Sequence, residues 1–289
     1  MRANAITMMG QRKPDENARR RAMVRLNGMM FYSLGLASFL ESTAPLDTNR
    51  LIRLSDGHSD VRLWLERVWL PQRAKHGALF REYIETTWPE FEWSSACQEF
   101  QESYCLRSAA RVEAPGLALE FIARCVNETA LAVFYRTLGK CAEEPSLRAL
   151  ALEAARDHAA YFTHFRGLYN RFGGRKRAGI VTTCRTVLAS CRSAREVDVA
   201  AAFHPLARHW HGGWVFPELT YSEFLARLAQ LIKHHAALGP LERLLFRPWL
   251  NPPRRIETLP PPATPNGACK SAGSVPASRA AQTAQARAA

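Results

Sequence analysis

Apolar residues recur along this chain at intervals of three and four, while alternating apolar–polar runs are scarce. That period matches the turn of an α-helix and not the two-residue repeat of a strand, so the chain reads as all-α. The spacing predicts helices over about 16–42, 59–87, 93–107, 116–142, 145–172, 178–194, 196–211, 221–238 and 241–246. Pro71 falls inside the second and should kink or restart it, because proline lacks the N–H that continues the ladder. Pro145 falls at a first turn, where that loss is harmless, and Gly173-Gly174 ends the same helix. Pro45, Asp47, Gly57 and His58 read as a loop between the first two helices. Four long helices with further helices appended toward the C-terminus describe a four-helix bundle.

Composition sets the boundaries. Residues 1–20 are polar and basic, and residues 258–289 are rich in Pro, Ala, Ser and Thr. Neither stretch can bury enough apolar surface to offset chain entropy, so both read as disordered, leaving 21–257 as the helical domain. The net charge is +13, from 39 Lys+Arg against 26 Asp+Glu. Such a charge attracts acidic partners, but no nucleic-acid module accompanies it, and nucleic acid is not expected as a partner. Cysteines at 97, 105, 125, 141, 184, 191 and 269 are odd in number and form no Cys-x-x-Cys pair. They argue against a disulfide framework or structural zinc and fit a reducing cytoplasm. The uncharged stretch Leu26–Leu40 is too short for a transmembrane helix. It follows Arg19, Arg20, Arg21 and Arg25, as a signal-peptide apolar region would, but reads better as a buried first helix.

The informative residues are polar groups on apolar helical faces. Phe121, Cys125, Glu128, Leu131, Ala132, Tyr135 and Leu138 share one face with Glu128 at its middle. Leu147, Leu150, Ala151, Ala154, His158, Phe162 and Phe165 form a second, with His158 as its polar member. Trp69, Gln72, Arg73, His76, Phe80 and Tyr83 form a third, carrying Arg73 and His76. A buried carboxylate costs several kcal/mol unless a metal, a cation or a hydrogen bond compensates, by about the amounts known for buried charges. Three such positions on three long helices match the way a bundle carries ligands into its core.

These positions also carry a resemblance. Arg67-Val68-Trp69-Leu70-Pro71-Gln72-Arg73-Ala74-Lys75-His76-Gly77 resembles the segment Arg-Ala-Trp-Thr-Ala-Glu-Glu-Asn-Arg-His-Gly of the acyl-ACP desaturases, members of the ferritin-like diiron superfamily. Asn127-Glu128-Thr129-Ala130 resembles their Gln-Glu-Arg-Ala, and Arg156-Asp157-His158-Ala159-Ala160-Tyr161 their Lys-Arg-His-Glu-Thr-Ala-Tyr. Leu250-Asn251-Pro252-Pro253-Arg254 resembles Leu-Pro-Pro-Arg. The order and approximate spacing hold from about residue 25 to 257.

The resemblance implies a ferritin-like bundle, a homodimer, and oxygen-dependent desaturation of an acyl chain on acyl carrier protein. It also implies an iron pair held by four carboxylates and two histidines. His76, Glu128 and His158 stand at three of those ligand positions, as a vestigial metal set. Gly35, Arg73 and Ala155 stand where the other carboxylates belong. Glu153 lies five residues before His158, and Asp157 points roughly 100° away from it, so neither replaces the ligand lost at Ala155. No catalytic residue is assigned. The expectation is a catalytically degenerate desaturase homologue that binds an acyl chain or acyl carrier protein, with Arg73 taking the metal's electrostatic place and pairing with Glu128. The alternatives are an oxygen-dependent enzyme with one metal on His76, Glu128 and His158, and a non-catalytic partner of an intact diiron paralogue. Arg171, Arg175, Lys176 and Arg177 could dock the acidic carrier. His204, His209, His211, His234 and His235 read as solvated, and Gly173-Gly174 and Gly212-Gly213 lack the context of a phosphate loop.

Overall fold

The computed structural model describes residues 13–109, 116–173, 179–193, 198–211, 213, 215–239 and 242–243. All of them fall in one compact unit, Met1–Glu257, and the second unit, Thr258–Ala289, lies outside the described residues. Among the described residues the chain is helical and has no strand beyond an isolated antiparallel bridge between Phe91 and Trp210. No helix among them is long and apolar enough to cross a membrane.

The predicted first helix is two helices, α1 (Lys13–Arg25) and α2 (Gly28–Ser42). Asn27 divides them, its side chain accepting a hydrogen bond from the Met30 N–H at 3.2 Å. That bond satisfies a donor left over at the start of α2. Most of the uncharged stretch becomes the buried run Met30–Phe39 of α2. The predicted loop after it is largely a helix, α3 (Ala44–Leu54), with Pro45 and Asp47 in its first turn. Proline tolerates a first turn and an acid is favoured there, so the residues read as loop formers are helix starters.

The next helix changes pitch around Pro71. It consists of α4 (Ser59–Trp64), a π-helical turn (Leu65–Trp69) and α5 (Leu70–Thr87). In that turn the Leu70 N–H reaches back five residues to the Leu65 carbonyl. The widened turn lies immediately before Pro71, which has no N–H to give. Then come α6 (Trp93–Ala109), α7 (Leu117–Cys141), α8 (Pro145–Phe172), α9 (Ile180–Ser193), α10 (Ala200–Arg208) and α11 (Tyr221–His235). Thr220 and Glu223 form a reciprocal capping box at the start of α11. Of the predicted helix 241–246, residues 242 and 243 are helical and the others lie outside the described residues.

Two helical layers frame the interior. The three-residue link Ala142–Glu144 turns α7 back onto α8, and α2 packs along α5. α10 and α11 both contact α2. The buried apolar residues form two clusters. One gathers around Phe31, Phe39, Phe80, Tyr135 and Phe203, the other around Leu51, Trp69, Phe121, Tyr161 and Phe165.

Gly35 permits the close approach of α2 to α10, since a Cβ there would lie 2.2 Å from Leu206 Cδ2. Leu206 is itself buried. Gly35→Ala should therefore destabilise the protein by about 1–3 kcal/mol in urea unfolding, despite alanine's better helix propensity. A gain in stability would show that α10 is not seated on α2 as described.

Candidate functional site

Between the apolar clusters lies a buried layer of charge. Glu41, in the last turn of α2, is 1% exposed. Its Oε2 accepts a hydrogen bond from Arg73 Nε at 2.8 Å. Its Oε1 accepts from the Tyr135 hydroxyl at 2.5 Å and lies 2.9 Å from His158 Nε2. The opposite ring nitrogen of His158, Nδ1, lies 2.5 Å from Glu128 Oε2. His158 is thus held between two carboxylates, one from α2 and one from α7.

Arg73 is almost fully used. Besides Glu41, its Nη2 donates to the Leu40 carbonyl at 2.6 Å, and Nη1 lies 3.5 Å from Asp47 Oδ2. Its guanidinium carbon sits 4.9 Å from the centre of the Trp69 ring, one turn earlier. Asp47 Oδ1 in turn accepts from Arg124 at 2.9 Å and from the Tyr104 hydroxyl at 3.2 Å. Glu120 pairs with Arg50 at 3.0 Å and lies 3.5 Å from Arg124. The network therefore runs from Arg50 on α3 through to Glu128 on α7, alternating in sign.

Proton affinities follow from this order. Burial opposes charge on Glu41, His158, Arg73 and Arg124, but their partners prevail. For Glu41, burial raises the pKa, and Arg73 and His158 more than reverse it, holding the carboxyl well below the usual range. For His158, burial lowers the pKa, and Glu41 and Glu128 raise it to about 9. Arg73 is likewise raised by Glu41, Glu128 and Asp47 against its burial. Burial raises Tyr135 well above its ordinary value, and the neighbouring Glu41 carboxylate adds to it, so the phenol stays a donor. His76 behaves differently: its burial outweighs the attraction of Glu41 and lowers its pKa.

The sequence-derived residues sort clearly. His158 and Glu128 meet as expected, and His76 lies close by, with ring centres 6.5 Å apart for the two histidines. The carboxylate grouped with both histidines is Glu41, whose ligand atom and theirs lie within 4.8 Å of one another. Glu128 occupies the other side of the His158 ring. Arg73 pairs with Glu41 and not with Glu128, which acts on it only at longer range. Gly35 faces Leu206, away from these residues, so it is not the position from which α2 supplies a carboxylate. Ala155 is half-buried against the larger apolar cluster.

Sequence reasoning missed Glu41, Asp47, Glu120 and Arg124. Glu41 did carry a signal. An acid in the last turn of a helix opposes the helix dipole, so a cation elsewhere must compensate it. Of the other clusters, His209 lies 2.9 Å from Glu99, and Arg171 pairs with Asp60. Arg175, Lys176, Arg177, Gly174 and Gly212 lie outside the described residues. The cysteines at 97, 105, 125, 141, 184 and 191 form no disulfide, and Cys269 lies outside the described residues.

A diiron centre does not fit these side chains. Arg73 sets a permanent cation against Glu41, the carboxylate that α2 brings to the two histidines, and Ala155 has no donor atom. Comparison with protein-family models, curated proteins and solved structures finds no match.

Removing Arg73 strands a buried carboxylate. Arg73→Met should cost about 3–5 kcal/mol in urea unfolding, and adding Glu41→Gln should recover a large part of it. Equal losses in the single and double variants would mean that the pair is not coupled. The raised pKa of His158 sets a pH window. Its contribution is complete below the unfolded value of 6.5 and is lost as pH rises through about 9. The stability difference between the natural chain and His158→Gln should therefore shrink from pH 6.5 to 9, and a constant difference would show that the ring is not charged at neutral pH.

Proposed function

We propose that this chain is a catalytically degenerate, desaturase-like protein of ferritin-like architecture, in which an ion-pair network occupies the place of an iron pair. The observation that carries this reading is Arg73, held by Glu41, the Leu40 carbonyl and Asp47 in a bundle core. A guanidinium cannot give up its proton, so it neutralises Glu41 at any pH at which the fold survives. His158 and Glu128 stand at family ligand positions, but both histidine nitrogens face carboxylates. Oxygen activation needs open metal positions, which this arrangement does not supply.

A retained acyl-binding role has separate support. A groove of about 940 Å³ between α2, α7 and α11 is lined by the apolar Met29, Met30, Phe134 and Leu138 and, at exposed positions, by Lys140, Arg227 and Lys233 against the single acid Glu143. An apolar lining with exposed basic residues suits an acyl chain ending in an anionic group, whether free or on acyl carrier protein. The same groove would serve a non-catalytic partner of an intact diiron paralogue. A homodimer is what the resemblance implies for either role.

A single-metal oxygenase is the second reading. The grouping of Glu41, His76 and His158 within 4.8 Å favours it, and Arg73 against Glu41 weighs the other way.

Anaerobic loading with ferrous iron followed by oxygen separates these readings. The expected outcome is no exchange-coupled iron pair by Mössbauer spectroscopy and no oxygen uptake above buffer. A coupled iron pair, or stoichiometric uptake, would overturn the degenerate reading.

A further inference from the structure

A second group of ligand-type residues shares His76 with the buried set. The His76 side chain is 1% exposed, yet neither ring nitrogen makes a hydrogen bond within the protein. Nε2 nevertheless lies 3.1 Å from Asp157 Oδ2. Glu153 completes the group, one atom from each of the three residues lying within 4.8 Å of the others. Glu153 and Asp157 are four residues apart on α8, so they project from one face toward α5.

The short but misdirected contact between Nε2 and Oδ2 is informative. In a hydrogen bond the N–H points at the oxygen. In chelation both lone pairs point at a third position instead. Two donors each about 2.0 Å from a tetrahedral zinc ion stand about 3.3 Å apart, close to the separation seen here. Asp157 and Glu153 are half-buried, at 30% and 41% side-chain exposure, so an ion can enter from solvent and keep a water. Lys75, whose Nζ lies 2.8 Å from Glu153 Oε1, is the competing cation. Its side chain is 59% exposed and can swing into water.

We propose that His76, Glu153 and Asp157 form a binding site for one zinc-class divalent cation, tying α5 to α8. One imidazole and two carboxylates with an open fourth position suit zinc better than magnesium, which prefers oxygen and more water. The site uses neither Arg73 nor Glu41, but it shares His76 with the Glu41–His76–His158 grouping, so variants at Glu153 and Asp157, which leave that grouping intact, separate the two.

The test uses the full-length, reduced protein with zinc as the probe, followed by calorimetry and thermal unfolding. Cobalt(II) serves as a spectroscopic probe of the same site. The expected result is one zinc per chain, a rise in Tm with zinc, and cobalt d–d bands without thiolate charge transfer. Glu153→Gln combined with Asp157→Asn should weaken zinc binding at least about tenfold and abolish the rise in Tm. Both residues are half-exposed, so the metal-free variant should keep the parent's circular dichroism. Lys75→Met should tighten binding. Zinc binding that is absent, unchanged in the double variant, or accompanied by cobalt–thiolate bands would overturn the proposal. An iron pair in the core, were one to form, would survive the double variant, so failure of the two readings can be told apart.

Discussion

The ion pair between Arg73 and Glu41 is the contact on which the interior depends. A buried guanidinium or carboxylate alone would cost several kcal/mol in desolvation, on the order found for unpaired buried charges. Each therefore requires the other, and through them α2 and α5 must meet at one register. The requirement propagates. Arg73 also reaches Asp47, Asp47 engages Arg124, and Glu41 holds His158, which holds Glu128. Buried pairs of this kind add little net stability over well-packed apolar residues, because desolvation cancels most of the attraction. Their stronger consequence here is geometric. They specify which faces of α2, α3, α5, α7 and α8 come together, whereas apolar surfaces alone would tolerate several rotations.

Much of this interior was legible in the sequence, and the rest was hidden for definable reasons. Glu128, His158, His76 and Arg73 stood out because each interrupts an apolar face, and all four are buried. Helical periodicity says which face of a helix is inward, but not which residue on the neighbouring helix lies opposite. That is why Arg73 was recognised as a core cation while Glu128 was named as its partner in place of Glu41. Gly35 and Glu41 lie six residues apart on the same helix, and nothing in the sequence says which of them comes level with His158 on α8. Asp47 was hidden by its neighbours. Pro45 and Asp47 favour both turns and helix starts, and nothing local decides between them.

The π turn before Pro71 shapes the site as well as the helix. One extra residue in a turn rotates everything after it by about 100° relative to a continuous helix. Arg73 and His76 both follow the turn, so their direction is set by α5 and not by α4. Trp69 is the last residue of the widened turn, and its ring lies against the Arg73 guanidinium. The aromatic face screens the cation from the smaller apolar cluster while Glu41 and Asp47 engage its N–H groups. Pro71 can thus be accommodated without a sharp break in the helix that presents the central cation.

Charge balance also governs what position 155 can hold. In the central part of the network two cations, Arg73 and His158, face two glutamates, Glu41 and Glu128. A further carboxylate at position 155 would bring a negative charge to a half-buried face that packs against the apolar cluster. In a metal-filled core that carboxylate is welcome, because two dications need many anionic donors. Where an arginine supplies a single fixed charge, as Arg73 does, the same carboxylate is a burden and a small apolar residue such as Ala155 is the better fit. A glutamate at 155 would leave Arg73 holding Glu41 and would add a half-buried carboxylate to a network whose charges are already matched.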